Sequence, residues 1–252
     1  EIASCLVGSE MCIRDRIDKE GRFLMASRPQ GKPYADWWEF PGGKLEVGET
    51  VLEALRREYA EELGVTVKIA SPWFVFEREY PHAYVRLHFC RITDWEGVPQ
   101  SREGQTFLWF ESLKQAQAEK LLPMCSLVIE RLMLPDRVAL VKTPLSDVTE
   151  TDFKGSGAKA ILASSFMPEK EALAKRLGVP MIVCQQWFER SEDVMATELQ
   201  EWLVGALEPT ADAEAILKTA EQRLPLYVAA RETEEENERL MQLGAQGVYV
   251  AI

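Results

Sequence analysis

The chain has 252 residues, of which 46% are hydrophobic and 28% charged, and its formal net charge is −12. This length accommodates one large or two ordinary domains, and the composition is that of a globular protein. No apolar run approaches the roughly 20 residues that cross a bilayer, so we expect no membrane partner. A negative surface repels the phosphates of DNA and RNA, which argues against a nucleic-acid polymer as partner.

Five cysteines are scattered along the chain without a CxxC pair or a regular framework. An odd number of unpatterned cysteines is typical of reduced thiols in the cytoplasm rather than of a disulfide scaffold. We therefore expect a cytoplasmic protein in which each cysteine is a small buried side chain. The sequence leaves the oligomeric state open.

Residues 1–16, EIASCLVGSEMCIRDR, have neither the pattern of a signal peptide nor that of an amphipathic helix. The string resembles one that recurs at the ends of proteins translated from environmental sequence reads, where adaptor sequence is translated with the gene. We interpret residues 1–16 as an artefactual or disordered tail, leave them out of the fold, and expect the true first strand to be missing from this sequence.

Regular patterns begin at Ile17 and define a predicted domain over residues 17–134. β-branched and aromatic runs between turn residues predict its strands, and Thr50 with Glu53 forms the capping box of a helix that Gly64 ends. The predicted strands are 22–26, 37–40, 65–70, 73–79, 84–92 and 107–110, with a helix over 50–63 and mainly helical structure over 112–133.

Beyond Leu134-Pro135-Asp136, short strand-like and helical stretches alternate over residues 135–252. Such alternation with short loops predicts βα units and a parallel sheet. The predicted strands lie near 137–142, 159–163, 180–184, 225–229 and 247–251, and the helices near 168–178, 192–207, 211–223 and 232–243.

The helix predicted over 50–63 carries two different stripes. Leu52, Leu55, Tyr59 and Leu63 recur at steps of three and four residues and should face a core. Glu58, Glu61 and Glu62 share another face, where three carboxylates repel one another unless a positive charge lies between them. A solvated surface is the plainer interpretation of such a face, and a hard divalent cation is the alternative.

The context of this helix favours the cation. The turn Pro41-Gly42-Gly43 precedes it. Counted from Gly43, the chain carries at fixed spacings Glu49, Arg57-Glu58, Glu61-Glu62 and Gly64-Val65. This spacing resembles the Nudix box, with Tyr59 standing where the family usually has an aliphatic residue. The resemblance covers residues 17–134 and is closest to Nudix hydrolases of the MutT type, which remove oxidised guanine nucleotides. It implies an α+β Nudix fold, with a mixed β-sheet sandwiched by helices.

The resemblance also implies a reaction and a set of residue roles. A nucleoside triphosphate is hydrolysed to the monophosphate and pyrophosphate with Mg²⁺, or alternatively Mn²⁺, as cofactor. The implied metal ligands are Gly43, Glu58, Glu61, Glu62 and Glu103, and Glu103 is alternatively the group that activates water. The implied catalytic residues are Glu61, Glu103 and Glu58, with Arg57 and Glu49 orienting the helix face.

For the substrate, the resemblance places Arg28 at the phosphates and Phe40 in the base pocket. The family's base-reading asparagine falls on Cys125, and a thiol replaces a two-way amide poorly. We expect 8-oxo-dGTP as substrate. The open alternatives are a Nudix pyrophosphatase for another nucleoside diphosphate derivative and a nucleotide sensor that has lost catalysis.

Residues 135–252 resemble the thiamine phosphate synthase barrel that some bacteria fuse to MutT-type domains. The segment Leu243-Gly244-Ala245-Gln246-Gly247-Val248-Tyr249 carries this likeness, whereas the residue clusters typical of that enzyme are not visible. A full barrel needs roughly 200 residues or more. We therefore expect a partial α/β domain, a truncated or degenerate barrel, without an assigned activity.

Overall fold

A computed structural model describes most of the chain. The residues it describes are 9–16, 22–80, 83–117, 119–142, 145–163, 168–184, 187–188, 204–208, 211–218 and 224–252. The chain divides into two compact units, Glu1–Met133 and Leu134–Ile252. Within the described ranges, no helix is long and apolar enough to cross a membrane.

The described residues of the first unit form two β-sheets and three helices. One sheet has the order β4-β1-β6-β5, with β1 and β6 parallel and the other pairs antiparallel, and the second has the order β3-β2-β7. The elements are β1 Ser9–Arg16, β2 Phe23–Ser27, β3 Trp38–Glu39, β4 Gly42–Lys44, α1 Val51–Leu63, β5 Thr66–Tyr80, β6 Ala83–Glu96, β7 Phe107–Phe110, α2 Leu113–Gln117 and α3 Pro123–Leu132.

Helix α1 begins and ends where its sequence predicts. The Glu53 amide donates to Thr50 Oγ1 over 3.3 Å, and the Thr50 amide donates to Glu53 Oε2 over 2.8 Å, which closes the capping box. Gly64 ends the helix in the left-handed region at φ 67°. Leu55, Tyr59 and Leu63 are completely buried. The apolar stripe thus fixes which side of α1 meets the core and which side carries the carboxylates.

Two apolar clusters cover opposite sides of the strands. Leu24 packs with the buried face of α1, whereas its neighbours Phe23 and Met25 pack with Val128 and Ile129 of α3. Successive residues of a strand point to opposite faces, so β2 contributes to both clusters. The sheets therefore lie between α1 on one side and α3 on the other, which confirms the predicted fold of strands sandwiched by helices.

The exclusion of residues 1–16 from the fold is wrong for its second half. Ser9–Arg16 forms β1, which pairs with β4 on one edge and with β6 on the other. Backbone hydrogen bonds hold such a strand, and any sequence without proline can make them, so side-chain patterning gave little signal. Residues 1–8 lie outside the described part of the chain.

Two further predictions in the first unit need revision. The strands predicted over 65–70 and 73–79 form one long strand, β5, whose register against β6 shifts at three places. Register shifts of this kind bend a strand without ending it, so Pro72 did not mark a boundary. The helical stretch predicted over 112–133 contains two helices, of which α2 ends at Gln117 and α3 begins at Pro123.

In the second unit, the residues that the structure describes form one parallel sheet of seven strands in the order β10-β9-β8-β14-β13-β12-β11. Every pairing in it is parallel, as the predicted βα units require. The elements are β8 Arg137–Leu140, α4 Glu150–Gly155, β9 Ile161–Ala163, α5 Pro168–Leu177, β10 Met181–Val183, β11 Trp187–Phe188, β12 Gly205–Leu207, α6 Ala213–Lys218, β13 Leu226–Ala229, α7 Glu234–Gln242 and β14 Gly247–Ala251.

This parallel sheet cannot be flat. Its two edge strands, β10 and β11, are consecutive in the chain, with β10 ending at Val183 and β11 beginning at Trp187. The backbone between those residues spans at most about 14 Å. Six strand spacings in a flat sheet would instead separate the edges by about 29 Å. The sheet therefore curls towards a barrel, with Tyr227 and Tyr249 in the cluster that contains Val138 and Leu162.

One predicted helix of this unit is wrong at its end. The helix was expected near 192–207, but Gly205–Leu207 forms strand β12 between β11 and β13. Val204 through Leu207 are all buried, and a short buried apolar run does not distinguish a strand from a helix by its periodicity. Residues 192–203 lie outside the described part of the chain.

Candidate active site

The contact between Gly43 and Glu58 joins strand β4 to helix α1. A Cβ atom built on Gly43 would lie 1.9 Å from Glu58 Cδ and 2.0 Å from its Oε1. No side chain other than hydrogen fits at position 43 while this carboxylate keeps its place. The tight Pro-Gly-Gly segment thus brings backbone against the acidic face of α1, as the predicted site requires.

Arg57 connects the carboxylates around this contact. Its Nε donates to Glu49 Oε1 and its Nη2 to Glu49 Oε2, both over 2.8 Å, which is a bidentate ion pair. Its Nη1 donates to Glu58 Oε1 over 2.9 Å and to Glu61 Oε2 over 3.4 Å. A further bond from Nη2 reaches the Lys44 carbonyl over 3.0 Å. One guanidinium therefore orients three glutamates and the loop before the helix.

The charges in this network shift each other's pKa values. Hydrogen bonds from Arg57 lower the pKa of Glu49 to about 2. The same bonds to Glu49 raise the pKa of Arg57 above its already high ordinary value. The pair consequently stays ionised throughout the neutral and mildly acidic range.

The donor chemistry of this region fits a hard divalent cation. Glu58, Glu61 and Glu62 offer carboxylate oxygens from one face of α1, and the glycine cradle at Gly43 lets backbone approach them. The Glu58 side chain is 15% exposed and that of Glu61 59% exposed. Among the residues the structure describes, no three His, Cys, Asp or Glu side chains converge in a metal-holding arrangement. The predicted ligand set, including Glu103, stays a prediction.

Glu103 lies in an exposed loop that docks on the end of α1. The amide of the preceding residue, Arg102, donates to the Glu62 carbonyl over 3.3 Å. The Glu103 amide donates to Oε1 of the buried Gln105 over 3.2 Å. The loop backbone therefore runs beside the last turn of α1, the turn that carries Glu61 and Glu62.

A second site element is a cleft between β3, β6 and α3. It brings together two of the three residues predicted to bind substrate, Phe40 and Cys125. The third, Arg28, is not among the residues that line the cleft. It bonds to one of them, since Arg28 Nη1 donates to Glu39 Oε2 over 2.5 Å. The residues that line the cleft are Glu39, Phe40, Gly42, Phe89, Leu122, Met124, Cys125 and Val128.

Cys125 contributes little hydrogen bonding to this cleft. Its thiol lies 3.8 Å from the Trp38 carbonyl oxygen, to which it donates. Burial raises the pKa of the Cys125 thiol to about 12, so it is neutral at physiological pH. A neutral thiol that already has an acceptor is a weak reader of a base edge.

Glu39 is the polar group that the sequence interpretation missed. Burial raises its pKa, although Arg28 opposes this shift. It is the one charged side chain among the described residues that line the cleft. The available signal was its position between the buried Trp38 and Phe40, because a charged residue within a buried apolar stretch is unusual.

Comparison with known proteins places this geometry in a family. The NUDIX domain model matches residues 11–125. An 8-oxo-dGTP diphosphatase of Escherichia coli (strain K12) is 40% identical over 115 residues, which are 46% of this chain and 88% of the relative. The 8-oxo-dGTP diphosphatase of Haemophilus influenzae is 38% identical over 91 residues, 36% of this chain and 67% of the relative. A CTP pyrophosphohydrolase of Escherichia coli (strain K12) is 36% identical over 93 residues, 37% of this chain and 69% of the relative. The chain therefore belongs to the Nudix family, and its first unit is a Nudix hydrolase.

Proposed function

We propose that the first unit hydrolyses a nucleoside triphosphate to the monophosphate and pyrophosphate, with 8-oxo-dGTP as its substrate. The observation that carries the hydrolysis is the junction at Gly43, where Arg57 fixes the Glu58 carboxylate against the glycine backbone. The named activity of the two 8-oxo-dGTP diphosphatases, which are 38% and 40% identical, supports the substrate.

The reaction is the attack of a water oxygen on a phosphorus of the triphosphate, with rupture of the P–O bond to the leaving group. Arg57 holds Glu58 and Glu61 in place, so their carboxylates need no reorganisation during the reaction. A glutamate of the α1 face, or Glu103, accepts the proton of the attacking water. When bound by Gly43, Glu58, Glu61, Glu62 and Glu103, Mg²⁺ or Mn²⁺ would neutralise phosphate charge and acidify water.

The residues that line the cleft favour guanine as the base of the substrate. Apolar side chains line most of it, and such pockets orient a ligand through a few polar groups. Glu39 Oε2 accepts from Arg28, whereas Oε1 has no hydrogen-bond partner among the described residues. A carboxylate accepts from two adjacent N–H groups, which the N1–H and N2 amino group of guanine provide. The ring nitrogen beside the amino group of cytosine is itself an acceptor and opposes a carboxylate.

This edge is common to guanine and 8-oxoguanine, so Glu39 favours a guanine nucleotide without distinguishing its oxidised form. A second candidate is the hydrolysis of CTP. It is supported by the CTP pyrophosphohydrolase relative and by the thiol of Cys125, which weakens the expected reading of the oxidised base. A nucleotide sensor without catalysis is the third possibility, and the intact set of Glu58, Glu61 and Glu62 argues against it.

The test is a substrate profile of the purified chain with Mg²⁺, using 8-oxo-dGTP, dGTP and CTP. We expect pyrophosphate rather than phosphate as the released product and the highest kcat/KM for 8-oxo-dGTP. A higher kcat/KM for CTP would assign the second candidate. Nucleotide binding without product release would assign the sensor and overturn the proposed hydrolysis.

A further inference from the structure

The Arg102 guanidinium lies directly against the glycine that ends α1. A Cβ atom built on Gly64 would come within 2.7 Å of Arg102 Nε and Nη2. Arg102 Nη1 donates to the Ala60 carbonyl over 3.0 Å. Gly64 therefore has two tasks: it takes the left-handed backbone that ends the helix, and it leaves room for a guanidinium from a distant loop.

The loop also binds the helix end through its backbone. The Arg102 amide donates to the Glu62 carbonyl over 3.3 Å, and the Gln100 amide donates to the Leu63 carbonyl over 2.9 Å. Together with Ala60, these carbonyls belong to the last turn of α1, where the helix has no further amides of its own to donate to them. Three of the four carbonyls of this turn thus receive hydrogen bonds from residues 100–102.

The positive charge of Arg102 has a specific use at this place. The last turn of α1 contains no basic residue, although a helix C-terminus carries partial negative charge and this turn also bears Glu61 and Glu62. Arg102 supplies that charge from outside the helix. The guanidinium of Arg102 therefore interacts with the C-terminal end of α1, which is the end that carries Glu61 and Glu62.

Glu103 follows Arg102 directly, so whatever fixes Arg102 also limits where Glu103 can lie. The bond from the Arg102 amide to the Glu62 carbonyl keeps the two backbones in contact, and one residue spans 3.8 Å between Cα atoms. On the other side, the buried Gln105 holds the Glu103 amide. The Glu103 carboxylate therefore starts from a backbone position beside Glu62.

We propose that Arg102 is a positioning residue, which clamps the loop of residues 97–106 onto the end of α1 and so holds Glu103 beside the carboxylates of the helix. This inference rests on the proposed hydrolytic function for its catalytic consequence. Its structural part, the clamp itself, can be measured without catalysis.

The first measurement is hydrogen–deuterium exchange of the whole chain. In Arg102→Ala, the peptide that covers residues 97–106 should exchange faster, while the buried part of α1 keeps its protection. Arg56→Ala is the matched control, because Arg56 is an exposed arginine of α1 and takes no part in the hydrogen bonds that join this helix to the loop. Unchanged exchange of the loop in Arg102→Ala overturns the clamp, whatever the activity of the protein.

The second measurement is a double-mutant cycle on kcat with Glu103→Gln. If Arg102 acts through Glu103, Arg102→Ala should lower kcat about tenfold or more in the wild-type background, with KM within about twofold, and change it less than about twofold beside Glu103→Gln. Arg102→Lys should recover part of kcat, because an ammonium can reach the Ala60 carbonyl. Equal losses in both backgrounds would overturn the positioning role, even with the clamp present.

These outcomes separate this inference from the proposed function. A wild-type protein that protects its loop through Arg102 but releases no product retains the clamp and contradicts the hydrolysis. If Arg102→Ala does not fold, judged by circular dichroism, the same two measurements on Arg102→Lys decide the question. Full kcat and full loop protection in Arg102→Lys, which cannot stack a planar group on Gly64, would contradict the need for a guanidinium.

Discussion

The acidic face of α1 and the cleft beside α3 are built in different ways. The carboxylates of the face come from one helix at spacings of three and four residues, and a single arginine orients two of them, Glu58 and Glu61. The cleft is assembled from β3, β6 and α3, whose residues are up to 89 positions apart, from Glu39 to Val128. Site residues that lie on one helix can thus be predicted from the sequence. The surface that selects a base cannot, because it depends on tertiary packing.

The same difference predicts how the two regions respond to substitution. Changes on the helix face should reduce turnover for every substrate, because they affect the reacting phosphates. Changes in the cleft should alter the ratio of kcat/KM between two substrates. The kcat for the nucleotide that the altered cleft favours should stay in the same range. The following experiments test this division.

The largest effect is expected for Glu61→Gln. The substitution keeps the size of the side chain and removes its charge, so we expect kcat to fall by about 10²–10⁴-fold for all substrates with little change in melting temperature. Glu130→Gln is the control, since Glu130 is exposed on α3. Turnover of Glu61→Gln within twofold of wild type would contradict the role of the helix face.

A smaller loss is expected for Arg57→Lys. Lysine keeps the positive charge but cannot form the bidentate pair with Glu49 while also bonding Glu58. We expect kcat to fall between about 10-fold and 100-fold, equally for 8-oxo-dGTP and CTP. A loss of kcat confined to one of these substrates would show that the helix face also selects the base. That result would contradict the division of roles between the helix face and the cleft.

For the cleft, Glu39→Gln tests base selection. A glutamine offers one donor and one acceptor, which complements the edge of cytosine rather than that of guanine. We expect the ratio of kcat/KM for dGTP over CTP to fall by about tenfold or more, with kcat for CTP unchanged or higher. A proportional loss for both nucleotides would place Glu39 in the general machinery and remove its selective role.

The smallest expected effect is a loss of folding stability at alkaline pH that is caused by Cys125. Burial raises the pKa of this thiol to about 12, whereas in the unfolded chain it ionises from about pH 8.5. Between these values only the unfolded state loses the proton, so stability falls as the pH rises, by at most about 1.4 kcal/mol per pH unit. Urea unfolding of wild type and Cys125→Ala at pH 8 and pH 10.5, followed by tryptophan fluorescence, measures the difference.

If the Cys125 thiol is held neutral by burial, the wild-type protein should lose more stability between the two pH values than Cys125→Ala does. Parallel losses in both proteins would mean that the thiol ionises in the folded state as readily as in the unfolded one. The cleft would then be wetter than its apolar lining indicates.

Several features followed from the sequence because the residues that cause them are neighbours in it. The start of α1 at Thr50 and its end at Gly64 depend on interactions within 15 residues, and the spacing of its apolar residues is contained in the same stretch. The alternation of strands and helices after residue 135 is likewise local, and it predicts a parallel sheet because strands connected through helices pair in parallel. The Arg57 network was predictable in part, since Glu49 and Glu61 lie one or two helical turns away.

Other features depend on packing between distant segments and were not predictable. Arg102 meets Ala60 across 42 positions, and only the folded chain shows that Gly64 makes room for it. Glu39 becomes a cleft residue because α3 packs across β3. Strand β12 has too few residues for its period to be recognised, and only its neighbours in the sheet identify it.

The position of β1 has a practical consequence for any shortened version of the chain. In this sheet Cys12 lies opposite Gly43, so the strand with the weakest sequence signal fixes the register of the glycine that meets Glu58. Removing residues 9–16 would strip β4 of its neighbour and bare a long edge of β6. Trimming the amino end would therefore disturb hydrolysis and solubility at once, although none of the trimmed side chains is assigned to the reaction.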